Sequence, residues 1–147
     1  METSSAPLSA TGVEKHSLAR SSLAGIVRAV DPSATVPGLP GWEWIPTPGH
    51  TPGHVAFLRS GDRVVISGDA VVTLEVNSVP GLLLGRQGLS GPPWYTSWNW
   101  RLAEASVATL ARREPLVLAP GHGLPLIGTE TPPALQAFAE RHARHAS

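Results

Sequence analysis

Two histidines and one aspartate stand at places where the chain changes direction. His50 lies in the turn-rich octapeptide TPGHTPGH (47–54), Asp69 lies in Ser-Gly-Asp-Ala (67–70), and His122 is flanked by two glycines. Each follows a short apolar run that is typical of a strand. Imidazole and carboxylate together suit zinc, and ligand sites of α/β proteins form where strands end. The pattern therefore predicts a metal site made of these three residues.

The alternative interpretation is that all three are ordinary turn residues. A histidine after Pro-Gly and an aspartate after glycine are both common in turns. Recurrence favours the site, because Pro-Gly-His occurs twice in the octapeptide and again at 120–122. His16, His142 and His145 fall in segments that we expect to be exposed or frayed, so the predicted site excludes them.

The elements that must position these residues follow from apolar periodicity and turn signals. In chain order we predict a helix over 17–30 and a Pro/Gly linker over 32–41. A β-meander follows, with strands at 42–45, 54–58 and 63–67 and a possible fourth strand at 71–76. After a long loop at 78–96 we predict a helix capped by Thr96 or Ser97 and ended by Pro115, a buried strand at 116–119 and a last helix from Thr131. The strand at 116–119 leads directly into His122.

Composition narrows the classes of function. The chain has 147 residues, and its 11 basic and 11 acidic residues leave no net charge, which argues against nucleic acid as a partner. No apolar run approaches the roughly 18 residues of a membrane span. The absence of cysteine excludes disulfides and thiolate metal sites. These features favour a single cytoplasmic domain that binds no membrane, preceded by a disordered tail over residues 1–15.

The motifs also carry a family resemblance. In this order, TPGHTPGH, an apolar strand, SGDA and APGHG resemble the C-terminal portion of the metallo-β-lactamase-fold metallo-hydrolase superfamily, which includes hydroxyacylglutathione hydrolases and lactonases. The matched core runs from about residue 42 to 126. The resemblance implies an α/β (α+β) fold that forms part of an αββα sandwich. This chain would contribute mainly the second sheet with its helices, as a truncated domain over 16–147.

The resemblance assigns a role to each residue of the motifs. His50 matches a ligand of the first metal, Asp69 the catalytic carboxylate that bridges both metals, and His122 a ligand of the second metal. His54 matches a position that supports the ligands without binding metal. In the family, one or two zinc ions activate a water whose hydroxide attacks a carbonyl or phosphorus. The implied function is a zinc-dependent hydrolase of an ester, thioester, lactone or related bond in a small-molecule substrate.

One departure from the family pattern is large. The family's His-x-His-x-Asp-His motif, which supplies four of seven ligands, does not occur in this sequence, where only His16 precedes His50. We therefore expect zinc binding by this chain to be weak or absent, and whether it is an enzyme stays open. The alternative is a non-catalytic half-domain remnant that acts as a dimerising or interaction module. An apolar sheet face without its partner sheet predicts a homodimer or a complementing N-terminal half.

The predicted loop at 78–96 ends in a group of aromatic residues. Loops in this position shape the substrate pocket in relatives, so Trp94 and Tyr95 are candidate substrate-binding residues. The alternative is that the neighbouring Trp98 and Trp100 only form the buried start of a helix. The residues do not indicate which substrate would bind.

Overall fold

The computed structural model describes residues 35–143. The predicted tail at 1–15, the predicted helix at 17–30, His16 and His145 therefore lie outside the described residues. The elements are β1 (Trp42–Pro46), β2 (Val55–Arg59), β3 (Val64–Gly68), β4 (Val72–Leu74), α1 (Val79–Leu83), β5 (Gln87–Ser90), a 3-10 turn (Trp94–Thr96), α2 (Trp100–Ala111), β6 (Val117–Pro120), β7 (Leu126–Ile127) and α3 (Thr131–Ala143). Among these residues no helix is long and apolar enough to cross a membrane.

The main sheet has five strands in the order β1-β2-β3-β6-β7. The predicted meander of β1, β2 and β3 is present and antiparallel, with Trp44 opposite Phe57 and Phe57 opposite Ile66. β6 pairs with β3 in parallel, with Val65 beside Leu118. Because β1 and β3 are each antiparallel to β2, the strands β1, β3 and β6 all run in one direction. Their carboxyl ends therefore meet at the same edge of the sheet.

The hydrophobic core lies between one face of this sheet and the two long helices. Alternate strand residues point into it, so Val65 and Leu118 are fully buried. The helices contribute apolar positions at helical spacing, namely Val107, Leu110, Leu135, Phe138 and Ala139. This packing fixes the sheet against α2 and α3 and so holds the strand ends in place.

The opposite face of the sheet is mostly apolar and much less buried, and it also carries Arg59, whose guanidinium carbon lies 4.9 Å from the centroid of the Trp42 ring. Trp42, Trp44 and Phe57 are half-buried there, and Ile66 keeps 40% of its surface exposed. Trp44 packs on Phe57 with ring centroids 5.2 Å apart. Helices thus cover one face in the described region, as the sequence predicts, and the second face carries large apolar side chains that retain contact with solvent.

The predicted long loop at 78–96 is wrong in detail, because it contains α1, β5 and the 3-10 turn. Ser78 caps α1 through its hydroxyl, which accepts from the Gly81 N–H at 3.2 Å. β5 pairs with β4 in a separate two-stranded sheet, so the predicted fourth strand is shorter than expected and does not extend the meander. These short elements are stabilised by a cap and by strand pairing. Neither produces the apolar periodicity from which elements are predicted, and the segment is rich in Gly and Pro.

The start of α2 and the end of α3 also differ from the sequence prediction. The N-cap of α2 is Asn99, whose side chain accepts from the Leu102 N–H at 3.1 Å, whereas Thr96 and Ser97 bond to the Pro93 carbonyl instead. His142, expected to be exposed or frayed, lies within α3, and its ring centroid is 5.1 Å from those of Trp100 and Phe138. The histidine is half-buried because its ring packs against aromatic side chains of α2 and α3, although a polar side chain near the end of a helix predicts exposure.

Removal of a buried side chain from the sheet tests the assignment of the core. We expect Leu118→Ala to lower the free energy of unfolding by about 2–5 kcal/mol, because it leaves a cavity under α2 and α3. Leu83→Ala is the matched control, since Leu83 is 79% exposed, and should change stability by no more than about 0.5 kcal/mol. Urea unfolding followed by circular dichroism measures both, and equal losses would contradict the assignment.

Candidate functional site

The structure brings the three predicted site residues together at the shared edge of the sheet. His50, Asp69 and His122 follow β1, β3 and β6, the strands that run in one direction. The Nε2 atom of His50 lies 3.5 Å from Oδ2 of Asp69, and Nε2 of His122 lies 3.6 Å from Oδ1. The side chains of His50, Asp69 and His122 are 18%, 30% and 59% exposed, so the cluster opens to solvent on the His122 side.

Each imidazole faces a different oxygen of the same carboxylate. Two ligand atoms bound to one zinc ion at tetrahedral angles lie roughly 3.3–3.5 Å apart, which is close to both separations. The donors thus suit a carboxylate placed between two ions, with one histidine on each. Within residues 35–143, no group of three His, Cys, Asp or Glu side chains can hold a single ion. The described residues therefore fit part of each of two sites and do not complete either.

The octapeptide forms a tight turn that packs directly on α2. The Thr47 N–H donates to the carbonyl of His54 at 2.9 Å, which closes the turn at its base. Gly49 has φ 138° and sits against the main chain of Ala103, where any Cβ would overlap the helix. The hydroxyl of Ser106 donates to the carbonyl of Pro48 at 2.7 Å. Helix α2 therefore fixes the turn that carries His50.

The segment before α2 holds the same turn from a second side. The Trp98 N–H donates to the carbonyl of His50 at 3.2 Å, and the Asn99 N–H donates to the carbonyl of Gly49 at 2.9 Å. The backbone of His50 is thus bonded to the chain that leads into the helix. These bonds fix the backbone position from which the imidazole reaches Asp69.

His54 links the turn to Asp69 through its ring. The Asp69 main-chain N–H donates to Nε2 of His54 at 3.2 Å, so that nitrogen carries no proton. The proton lies on Nδ1, which is 2.7 Å from the Thr47 hydroxyl and donates to it. Burial, and to a lesser extent the neighbouring His50, lowers the pKa of His54 and favours this neutral form. His54 thus holds the backbone of Asp69, next to the side chains that would bind metal.

Gly121 leaves the space that the Asp69 carboxylate occupies. Its N–H donates to the carbonyl of Gly68 at 2.9 Å, which joins the two strand ends. A Cβ at Gly121 would lie 2.5 Å from Oδ1 of Asp69, so no larger residue fits without moving the carboxylate. The glycine before His122 is therefore part of the site, although its place in the sequence predicts only a turn.

Thr73 is a second residue that sequence reasoning missed. Its N–H donates to the carbonyl of His122 at 3.0 Å, and its hydroxyl donates to the carbonyl of Leu124. This β4 residue is buried and holds the loop that carries His122. It lies in the mostly apolar run 71–74, and nothing in this run distinguishes it from a core position.

The two candidate substrate-binding residues lie on the 3-10 turn before α2. Trp94 is 67% exposed and Tyr95 is 57% exposed, and their rings meet edge to face with centroids 5.8 Å apart. Trp98 is also 61% exposed, whereas Trp100 is half-buried against His142. The buried-helix alternative thus holds for Trp100 and fails for Trp98.

Comparison with known proteins places the chain in a family. A model of the metallo-beta-lactamase superfamily matches residues 9–122, which is more than half of the chain. The chain belongs to this superfamily. It is 41% identical over 115 residues to a probable metallo-hydrolase, YflN, of Bacillus subtilis (strain 168), across 78% of this chain and 44% of that protein. The chain therefore spans less than half the length of this relative.

Solved structures of similar proteins overlap the chain in part. A metallo-beta-lactamase family protein from Thermus thermophilus, TTHA1429, is 24% identical, with a TM-score of 0.47, and the match covers 71% of this chain and 30% of that one. TTHA1623, solved in a di-iron-bound form, is 27% identical, with a TM-score of 0.44, over 69% of this chain and 43% of that one. The family membership and the mixed α/β architecture confirm the predicted family and fold class.

The lowered pKa of His54 predicts how stability depends on pH. Because the folded pKa lies below its ordinary value near 6.5, the unfolded chain takes up this proton first as the pH falls. The contribution of neutral His54 is therefore present above about pH 6.5 and is lost progressively below it. Gln at this position can still accept from the Asp69 N–H but does not titrate. We expect the wild type to lose stability relative to His54→Gln between about pH 7.5 and about pH 5.

Urea unfolding of both proteins across this pH range measures the difference. The two proteins differ only at residue 54, so the difference between them reports on that side chain. A constant difference, or a wild type that gains relative stability as the pH falls, would contradict the neutral state assigned to His54.

Proposed function

We propose that His50, Asp69 and His122 are three ligands of a dinuclear metal site that hydrolyses an ester, thioester, lactone or related bond. The observation that carries this proposal is the position of Asp69, whose two carboxylate oxygens each face a different imidazole at 3.5 and 3.6 Å. Membership of a metallo-hydrolase superfamily supports it. We propose zinc as the metal, because nitrogen and carboxylate donors suit it.

Bound metal ions supply water activation and polarisation of the scissile carbonyl in such sites. The residues of this chain have separate tasks. Asp69 is the proposed catalytic carboxylate, since its negative charge would lie between both ions and next to the reacting bond. His50 and His122 would each fix one ion, and His54 would keep the backbone of Asp69 in register with them. Trp94 and Tyr95 are proposed to contact the substrate.

The described residues provide two donors for each proposed ion, fewer than the three protein ligands of an ordinary catalytic zinc site. The motif that would add four more ligands does not occur in the sequence. We therefore propose that this chain alone binds zinc weakly, and that hydrolysis requires a complementing segment that brings the remaining ligands.

Metal titration of the purified chain tests the ligand set. We expect weak zinc binding by isothermal titration calorimetry and, for Asp69→Asn, a loss of more than about tenfold in affinity, because both ions share this carboxylate. Asp62→Asn removes an exposed carboxylate outside the site and should bind as the wild type does. If Asp69→Asn bound zinc as well as the wild type, or if the wild type bound none at millimolar zinc, the metal proposal would be wrong.

A second candidate function rests on the half-buried face of the sheet. Trp42, Trp44, Phe57 and Ile66 form an apolar surface there, and monomeric proteins rarely leave such surfaces in contact with water. We propose, as the alternative, a non-catalytic module whose sheet face pairs with that of a second copy of this chain. This candidate needs no metal.

Sedimentation equilibrium measures whether the sheet face pairs. If it does, the wild type is a dimer at micromolar concentration and Ile66→Lys is a monomer, since the lysine places a charge in the centre of the interface. Leu83→Lys, at an exposed position on α1, should stay dimeric. A monomeric wild type, or a dimer unaffected by Ile66→Lys, would contradict this candidate.

A further inference from the structure

The two histidines of the candidate site are held by different parts of the fold. The side chain of His50 is 18% exposed, and its turn is bonded to α2 and to the segment before that helix. The side chain of His122 is 59% exposed and lies in the loop between β6 and β7. None of the hydrogen bonds that tie α2 to the turn of His50 reaches this loop, so His122 needs a support of its own.

The loop that carries His122 is hydrogen-bonded to the two-stranded sheet of β4 and β5. Thr73 of β4 donates its N–H to the carbonyl of His122 at 3.0 Å and its hydroxyl to the carbonyl of Leu124. From β5, the side-chain oxygen of Gln87 accepts from the Leu124 N–H at 3.2 Å. Both main-chain polar groups of Leu124 are thus held, one by each strand. We call Thr73 and Gln87 the clamp.

The side-chain amide of Gln87 is used at both ends. Its nitrogen donates to the carbonyl of Gly85 at 3.3 Å, so the oxygen is the end directed at Leu124. Leu74 pairs with Gln87 in the ladder between β4 and β5, which keeps Gln87 beside the strand that contains Thr73. The two residues of the clamp are therefore fixed relative to each other.

Gly123 allows the loop to approach the clamp closely. Its φ is 94°, in the region that residues with a side chain rarely adopt, and a Cβ at this position would overlap the hydroxyl of Thr73. Because His122 is the preceding residue, this approach brings the backbone of the histidine against β4.

A cavity lies beside these contacts where packed side chains might otherwise support the loop. It measures about 460 Å³, and both residues of the clamp line it together with Leu124 and Leu126. In the described part of the chain, the hydrogen bonds that reach residues 122–124 all come from the clamp. Leu124 is also 66% exposed, so apolar packing contributes little to its position. The placement of His122 therefore depends on the clamp.

From these contacts we infer that Thr73 and Gln87 position His122 at the carboxylate of Asp69, and that they control the His122 half of the site without controlling the His50 half. The inference rests on the proposed metal site. It identifies Gln87, an exposed residue of β5, as a positioning residue that acts through the backbone of the loop.

Zinc titration followed by the imidazole resonances of His50 and His122 in ¹H–¹⁵N spectra tests the inference. Gln87→Met removes the acceptor for Leu124 but keeps the length and charge of the side chain. In this variant we expect His122 to need about tenfold more zinc for half of its response, as is usual when support for a metal ligand is lost. The response of His50 should change by less than about twofold, and the unfolding midpoint should stay the same. Thr73→Val should act in the same direction.

Two further variants serve as controls. Gln136→Met makes the same substitution at an exposed position of α3, and it should respond to zinc as the wild type does. Ser106→Ala removes the bond from α2 to the carbonyl of Pro48, and it should reverse the pattern by weakening the response of His50 more than that of His122. Equal losses at both histidines in Gln87→Met, or no loss at His122, would overturn the inference.

A measurement without metal separates this inference from the proposed function. In the metal-free wild type we expect backbone order parameters of about 0.85 for His122 and Gly123, and a fall toward about 0.6 in Gln87→Met. The order parameter of His50 should not change. If zinc gave no response in the wild type but this fall occurred, the clamp would stand and only the metal site would be wrong. Unchanged order parameters in both clamp variants would overturn the inference whether or not zinc binds.

Discussion

The carboxylate of Asp69 is the group on which the candidate site depends. Its two oxygens face two imidazoles that come from different parts of the chain, and the main-chain N–H of the same residue is held by a third imidazole, that of His54. A negative charge between two nitrogen donors is suited to two cations and less to one. At this edge of the sheet, His54 and Gly121 position Asp69, while α2 and Thr73 hold the segments that carry the two histidines.

The sheet topology provides that placement. Because β1, β3 and β6 run in one direction, residues separated by 72 positions, His50 and His122, arrive at one edge. The site then depends on close approach of backbones, since Gly121 and Gly49 leave no room for a Cβ against Asp69 and α2 respectively. The packed core between the sheet and the helices α2 and α3 holds the strands, and with them this edge, in place. The opposite face of the sheet does not contribute to this core.

Much of this arrangement could be predicted from the sequence because its signals are local. Strand periodicity, the meander turn and the Pro-Gly-His repeats identified β1, β2, β3 and β6 and the residues at their ends. The elements within 78–96 could not be predicted, since α1 and β5 depend on a cap at Ser78 and on pairing with β4. The roles of Thr73 and Gly121 could not be predicted either, because each acts through a partner distant in sequence.

Anomalous X-ray diffraction from crystals soaked in zinc, recorded at the zinc absorption edge, tests the central claim most directly. If Asp69 bridges two half-sites, two peaks will lie beside it, roughly 3.5–4 Å apart, one within bonding distance of His50 and the other within bonding distance of His122. A single ion bound by both histidines, or zinc found only away from Asp69, would contradict the account.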